Sequence, residues 1–244
     1  MPNLANIPAC QIIPLPNYTT SFQIHGVEKL RWNFGNDYSR PFFYPVNGPS
    51  GNSLVRLGHP GAPNHDHHRG IWFAHNNIEG MDFWAEGKDN QILQTQWLAY
   101  DDGEEYAAMA VQTEFHAGHD PQPILQQRVV AVIRPLEHGQ YTLELQTTIT
   151  PTMESLTLNK TNFGFLAVRM AASISAHFGG GTITNQAGKT GEPALFGKAA
   201  NYIDYSGPIR GIDGKGIIEG ITYFDHPSNP SYPSKWHVRE DGWM

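Results

Sequence analysis

Tyr141-Thr142-Leu143-Glu144-Leu145-Gln146-Thr147 alternates apolar or ring-bearing side chains with polar ones at a period of two. Successive side chains of an extended chain point to opposite faces. Tyr141, Leu143, Leu145 and Thr147 therefore share one face and Thr142, Glu144 and Gln146 the other, as in a half-buried strand of an antiparallel sheet. Similar segments lie near residues 91–99, 106–116 and 124–135, and this one runs over 140–150. Turn signals separate them at Asp101-Asp102-Gly103, His119-Asp120-Pro121 and Glu137-His138-Gly139. The whole stretch reads as a regular antiparallel meander.

Further strands are expected on both sides of it. Upstream, Cys10 to Leu15, Ser21 to His25, Glu28 to Phe34 and Pro41 to Val46 are apolar or alternating, with His25-Gly26-Val27 as a hairpin turn. Downstream, Phe163 to Ser175 reads as one long strand ended by Gly179-Gly180-Gly181, and shorter strands are expected near 181–186, 199–205 and 216–225. No internal repeat and no amphipathic helix is visible. At least ten strands with little helix predict an all-β protein, an antiparallel two-sheet β-sandwich forming a single domain over residues 1–244. Between Asn47 and Asn90 the chain is rich in Gly, Pro, Asn and His and only weakly periodic, which marks a functional loop system.

Composition excludes several partner classes. Charged residues make up 16 % of the chain, while 25 Gly, 18 Pro and 28 aromatic residues suit short strands and tight turns. A net charge of −7 is the wrong sign for a phosphate-backbone partner, so no nucleic acid is expected. No apolar run reaches the roughly 20 residues of a membrane-spanning helix, so no membrane partner is expected either. The N-terminal residues lack a basic segment followed by a long apolar stretch, which predicts a cytoplasmic protein. The single cysteine, Cys10, permits no intrachain disulfide and no multi-cysteine zinc site, and reads as a buried, inert thiol.

Candidate chemistry concentrates in one run. Five of the twelve histidines fall within residues 59–75: His59, His65, His67, His68 and His75. Imidazole is suited to proton transfer or metal ligation near neutral pH. In His65-Asp66-His67-His68-Arg69 an extended backbone points His65 and His67 to one face and His68 to the other, whereas a bent loop aims all three inward. Three imidazoles suffice for a metal site with an open position, with His59, Asp66 or His75 as further ligands. The spacing lacks the helical i, i+4 pair of known motifs, so a metal-free site is preferred. No cofactor is predicted, and a divalent metal on His65, His67 and His68 is the alternative.

Two other groups add to it. Near the C-terminus, Asp225, His226 and Asn229 follow an apolar strand at a turn stiffened by Pro227 and Pro230, and Trp236-His237 lies just beyond. Asp225 and Asn229 read equally well as turn caps. Upstream, Asp82 and Trp84 lie close in sequence to Trp72 and His75. Exposed indole faces beside carboxylates and imidazoles are what a sugar site needs, although most sandwich aromatics are core. Lys160, at the entry to the long strand, either faces a pocket or is solvated.

Arg40-Pro41-Phe42-Phe43-Tyr44-Pro45-Val46, followed by His67 to His75, Gly80-Met81-Asp82-Phe83-Trp84, the block Lys198 to Gly207 with Tyr202, Asp204 and Tyr205, and Phe224 to Arg239, resembles the PmoA-like family of bacterial domains of unknown function. The likeness covers most of the chain. It implies a galactose-mutarotase-like supersandwich and a carbohydrate role. The family's inherited label, methane oxygenase, implies a membrane-embedded copper enzyme, which a chain without an apolar span does not fit. Relatives continue past the last motif with further strands. The chain therefore reads as truncated at its C-terminus, or as having an open sheet edge that a second copy covers.

The expectation is thus a carbohydrate-processing enzyme of epimerase, lyase or hydrolase type, acting on a small-molecule or oligosaccharide ligand. His68 and His237 are the acid/base candidates, and Arg69 and Lys160 polarise a carbonyl or ring oxygen. His67, Trp72, His75, Asp82, Trp84, Asp225, His226, Asn229 and Trp236 bind substrate. The alternatives are a non-catalytic carbohydrate-binding module and a His-ligated metalloenzyme.

Overall fold

The computed structural model of the protein describes residues 7–58, 65–87, 89–118, 120–211 and 214–244. In chain order its strands are β1 (Cys10–Leu15), β2 (Thr19–Ile24), β3 (Val27–Asn33), β4 (Phe42–Val46), β5 (Ile71–Phe73), β6 (Asn90–Asp101), β7 (Ala107–Ala117), β8 (Leu125–Pro135), β9 (Tyr141–Pro151), β10 (Leu166–Val168), β11 (Thr182–Asn185), β12 (Tyr202–Arg210) and β13 (Gly216–Phe224). A single helical turn, α1 (Glu192–Leu195), interrupts them. The fold is all-β and its paired strands run antiparallel, but among the described residues they form three sheets rather than the two expected. No helix among the described residues is long and apolar enough to cross a membrane. Contacts divide the chain into two compact units, Met1–Phe43 with His75–Lys160, and Tyr44–Ala74 with Thr161–Met244.

In the first unit, β1, β2 and β3 form a meander. The β2–β3 connection has His25 and Gly26 at φ 50° and 73°. Two positive φ values in a two-residue loop give the twist that antiparallel strands require. β6 to β9 form the second meander, with Leu143 opposite Ile133 and Leu145 opposite Ala131. On β7 the buried set is Ala107, Met109, Val111, Thr113 and Phe115, and β1 packs against this strand with lesser contacts to β6 and β8. Burying each side chain such as Phe22, Leu30, Met109 or Phe115 contributes roughly 1.5–3 kcal/mol. Trp32 Nε1 donates to Gln94 Oε1 at 2.7 Å, and Asp102 Oδ1 accepts from the Ile12 amide at 2.7 Å. Cys10 is fully buried, and burial pushes its thiol pKa up.

In the second unit β5 pairs with β10, and β11, β12 and β13 form a sheet of their own. Backbone bridges join Val55 to Met170, Leu57 to Arg69 and Arg169 to Trp243. The Arg56 amide donates to Arg169 O (3.0 Å), the Arg169 amide to Gly70 O (2.7 Å) and the Gly70 amide to Arg56 O (3.0 Å). Four short, separated segments are thereby laced together around two arginines.

The long strand expected over Phe163 to Ser175 is not formed. Only Leu166–Val168 is a strand, and Ala172–Ile174 closes into a 3-10 turn. Ser175 Oγ donates to Ala172 O (2.8 Å) and accepts from the Phe178 amide (3.0 Å), a local pattern that competes with strand pairing. Gly181 and Gly207 approach the Ile174 backbone so closely that a Cβ at either would collide with it. The chain therefore bends where its apolar run suggested continuation.

Candidate active site

In the second unit, the histidine run and the C-terminal segment meet on one ring. Trp243 lies 4.8 Å from His68 and 4.2 Å from His237, centroid to centroid. Its 8 % exposure makes it a wall rather than a surface residue. Behind His68, Trp72 is stacked at 5.0 Å and 29° and is only 1 % exposed. His67 and His65 contact His68 at 4.4 and 4.9 Å. The three imidazoles pack as rings on one another. Among the described residues, no three His, Cys, Asp or Glu side chains are arranged to hold a metal ion. His59 lies outside the described residues.

His237 has a defined protonation geometry. Its Nδ1 lies 2.9 Å from the carbonyl oxygen of Asn162. A carbonyl can only accept, so Nδ1 carries the proton and Nε2 holds the lone pair. Nε2 is buried with no hydrogen-bond partner among the described residues. Burial pushes the His237 pKa below its ordinary value, an effect only partly offset by the Asn162 contact. The side chain is a neutral imidazole with a fixed tautomer, held between Phe196 (4.9 Å), Phe163 (6.0 Å) and Trp243.

A tight turn positions this segment. The Arg239 amide donates to Trp243 O and the Gly242 amide to Arg239 O, both at 3.0 Å, with Gly242 at φ 92°. The buried Tyr205 hydroxyl of β12 accepts from the Arg239 amide (3.0 Å) and lies 2.9 and 3.1 Å from the carbonyls of Arg239 and Trp243. Burial raises the Tyr205 pKa far above its usual value, which keeps the phenol protonated as a donor to this turn. Glu192 of α1 completes the support. Its Oε1 is 3.0 Å from Arg239 Nη1, and its Oε2 accepts from the Glu240 amide at 2.8 Å.

Beside this turn is a hollow of about 420 Å³ lined by His65, His177, Phe178, Glu192, Arg239, Glu240 and Asp241. That volume lies within the range of small-molecule clefts. A second hollow, of about 490 Å³, shares Glu192 and Glu240 and is walled by Phe196, whose ring touches His237.

The other expected site residues of this unit are placed differently. Asp225 Oδ1 accepts from Asn229 Nδ2 (2.6 Å) and Oδ2 from the Ser234 amide (2.7 Å), so the pair caps its own turn. His226 Nδ1 accepts from the Ser228 amide (3.1 Å) in the same loop. Trp236 is buried, donates to Ala200 O (2.8 Å) and packs edge-on against Tyr223. Arg69 is half-buried on the ladder with Leu57.

In the first unit, His75 is buried, its Nδ1 accepts from the Asn77 amide (3.0 Å), and burial lowers its pKa against an opposing pull from Asp82. Asp82 Oδ1 accepts from the Trp84 and Ala85 amides at 2.7 and 3.1 Å, another turn cap. Trp84 is 5 % exposed, so its indole, like that of Trp72, is packed in the core rather than presented as an open face. Lys160 is exposed, the solvated alternative.

Several residues of the site were not singled out from sequence: Trp243, Arg56, Arg169, His177, Glu192 and Asp241. Arg169 carried a usable signal, a charge inside the apolar run Leu166-Ala167-Val168-Arg169-Met170. The others have none, because ladder partners far apart in sequence bring them together.

The molecule is thus an antiparallel all-β protein with an imidazole, indole and carboxylate cluster beside a ligand-sized hollow. The chain belongs to the Family of unknown function (DUF6807), whose model matches residues 19–244. No curated protein and no solved structure matches it significantly.

Proposed function

We propose that the protein is a carbohydrate-processing enzyme whose chemistry takes place in the second unit, by proton transfer to and from a sugar. The observation that carries this reading is the 420 Å³ hollow, lined by two imidazoles, carboxylates, a guanidinium and a phenyl ring, one of whose imidazoles, His65, is in ring contact with His68 at 4.9 Å. His237 is the proton acceptor, its lone pair held on Nε2 by the Asn162 carbonyl. His68 is its acid partner, reached from the hollow through His65. Arg69 polarises a sugar oxygen. Epimerisation is preferred over elimination and hydrolysis, because a neutral imidazole is matched to proton abstraction at neutral pH. The PmoA-like affiliation, the galactose-mutarotase-like supersandwich and an oligomer through an open sheet edge belong to the same proposal.

The test is turnover on a panel of mono- and oligosaccharides with the whole chain and with His68→Ala and His237→Ala. Each substitution is expected to reduce kcat at least a hundredfold, the usual weight of a general acid or base. Unchanged turnover in both variants would remove the assignment. Saturable binding without turnover in any form would leave a binding module instead.

A further inference from the structure

Of the six tryptophans, five are at most 8 % exposed, whereas Trp97 is 37 % exposed. It belongs to a row of four rings that lies wholly within the first unit. Phe34, half-buried just after β3, meets Tyr18 edge-on at 6.0 Å and Trp97 edge-on at 5.6 Å, and Trp97 meets Tyr100 edge-on at 6.4 Å. Tyr18 and Tyr100 are 68 % and 58 % exposed. None of the four lines either hollow of the second unit.

The backbone holds these rings outward at a cost that core packing does not repay. Tyr18 sits in the β1–β2 turn at φ 55°, beside Asn17 at φ 63°, a left-handed conformation that is unfavourable for a bulky side chain. The Phe34 amide pins this turn by donating to Tyr18 O at 3.0 Å. On β6 the pairing with β7 slips twice, between Gln94 and Gln96 and between Trp97 and Ala99, and bulges of this kind re-aim side chains. Residues 95–101 are exposed as a result. β6 is an edge strand, a place that proteins usually blunt with charge, yet it carries Trp97, Leu98 and Tyr100 there.

Area and charge select the occupant. At about 200 Å² for a fully open ring, the exposed parts of Tyr18, Trp97 and Tyr100 make a patch of about 300 Å², less than half of the roughly 800 Å² that each partner buries in a stable protein interface. Tyr100 is followed directly by Asp101-Asp102-Gly103-Glu104-Glu105, whose four acidic residues are exposed. Carboxylates accept from hydroxyl donors and repel an anionic ligand. An open row of rings holds a ligand by contacts repeated along its length, and successive pyranose units offer apolar C–H faces to such rings.

Taking the sugar class from the carbohydrate reading above, we propose that the Tyr18–Phe34–Trp97–Tyr100 row is a second carbohydrate site, a surface platform for a neutral oligosaccharide chain.

The experiment is electrophoresis of the full chain through native gels containing hydroxyethylcellulose, glucomannan, soluble starch or polygalacturonate. At least one of the three neutral glycans is expected to retard the parent, and polygalacturonate is not. Trp97→Ala and Tyr100→Ala should each weaken that binding about tenfold with circular dichroism unchanged, and Trp97→Phe should retain most of it. His237→Ala, altered in the other unit, should be retarded like the parent. Retardation that survives both alanine substitutions, or that occurs only with polygalacturonate, would overturn the platform. Absence of retardation in every neutral glycan would also overturn it, and the enzyme assignment would then stand or fall on turnover alone. A parent that sediments as a dimer, returns to monomer in Trp97→Ala and binds no glycan would make the row a protein interface and overturn the inference.

Discussion

The ring of Trp243 sits 4.2 Å from that of His237 and 4.8 Å from that of His68, joining two parts of the chain that the sequence keeps far apart. Trp243 is therefore a structural keystone of the second unit. Trp243→Ala is expected to cost about 3–5 kcal/mol, as for other buried large-to-small changes. Urea denaturation checks this. A cost below about 1 kcal/mol would mean that the His68 and His237 contacts do not depend on the indole.

The burial of His237 makes stability depend on pH with a defined sign. Its folded pKa lies below the unfolded value of 6.5, so the unfolded chain binds the proton more readily. Its contribution is present above pH 6.5 and is lost as pH falls through the folded pKa. His75 shifts in the same direction, so the parent should lose Tm steadily on acidification below that point. In His237→Gln the acid-side slope should become shallower. Tm measured between pH 8 and pH 5 tests this, and an identical slope in the two proteins would contradict it.

Asp225 is placed as a turn cap with both carboxylate oxygens engaged. Asp225→Ala should destabilise by about 1–3 kcal/mol, the loss of the two hydrogen bonds that its carboxylate accepts within the turn. Any sugar turnover measured well below the Tm should keep its KM. A KM rise with unchanged Tm would instead make Asp225 a ligand contact.

Tyr205→Phe removes the hydroxyl that joins Arg239 and Trp243. A loss of about 1–3 kcal/mol is expected from the buried groups left without it. Faster amide exchange of Arg239 would be the specific readout, because that amide donates to the hydroxyl at 3.0 Å.

The strands were largely legible in the sequence and the site only partly. β7 appears as alternation because one face is buried and the other is not, β9 repeats the pattern more weakly with a half-buried face, and the His25-Gly26 turn is visible because it demands positive φ. Phe163 to Ser175 was misread because apolarity signals burial without shape, and the bend at Ile174 is dictated by a close backbone approach of glycines 181 and 207. His68 and His237 stood out by residue type. Trp72 and Trp84 also stood out, but composition does not distinguish a ring that faces solvent from one packed inside. The Arg56 and Arg169 pairing depends on a ladder between distant segments, which leaves no local mark.

Because the hydroxyl of Tyr205 clasps both ends of the Arg239–Trp243 turn, the loop that carries His237 gives up its freedom during folding. The proposed ligand, arriving in the adjacent hollow, would meet partners already in place. Its affinity would then be set by chemical match rather than by the cost of ordering this turn.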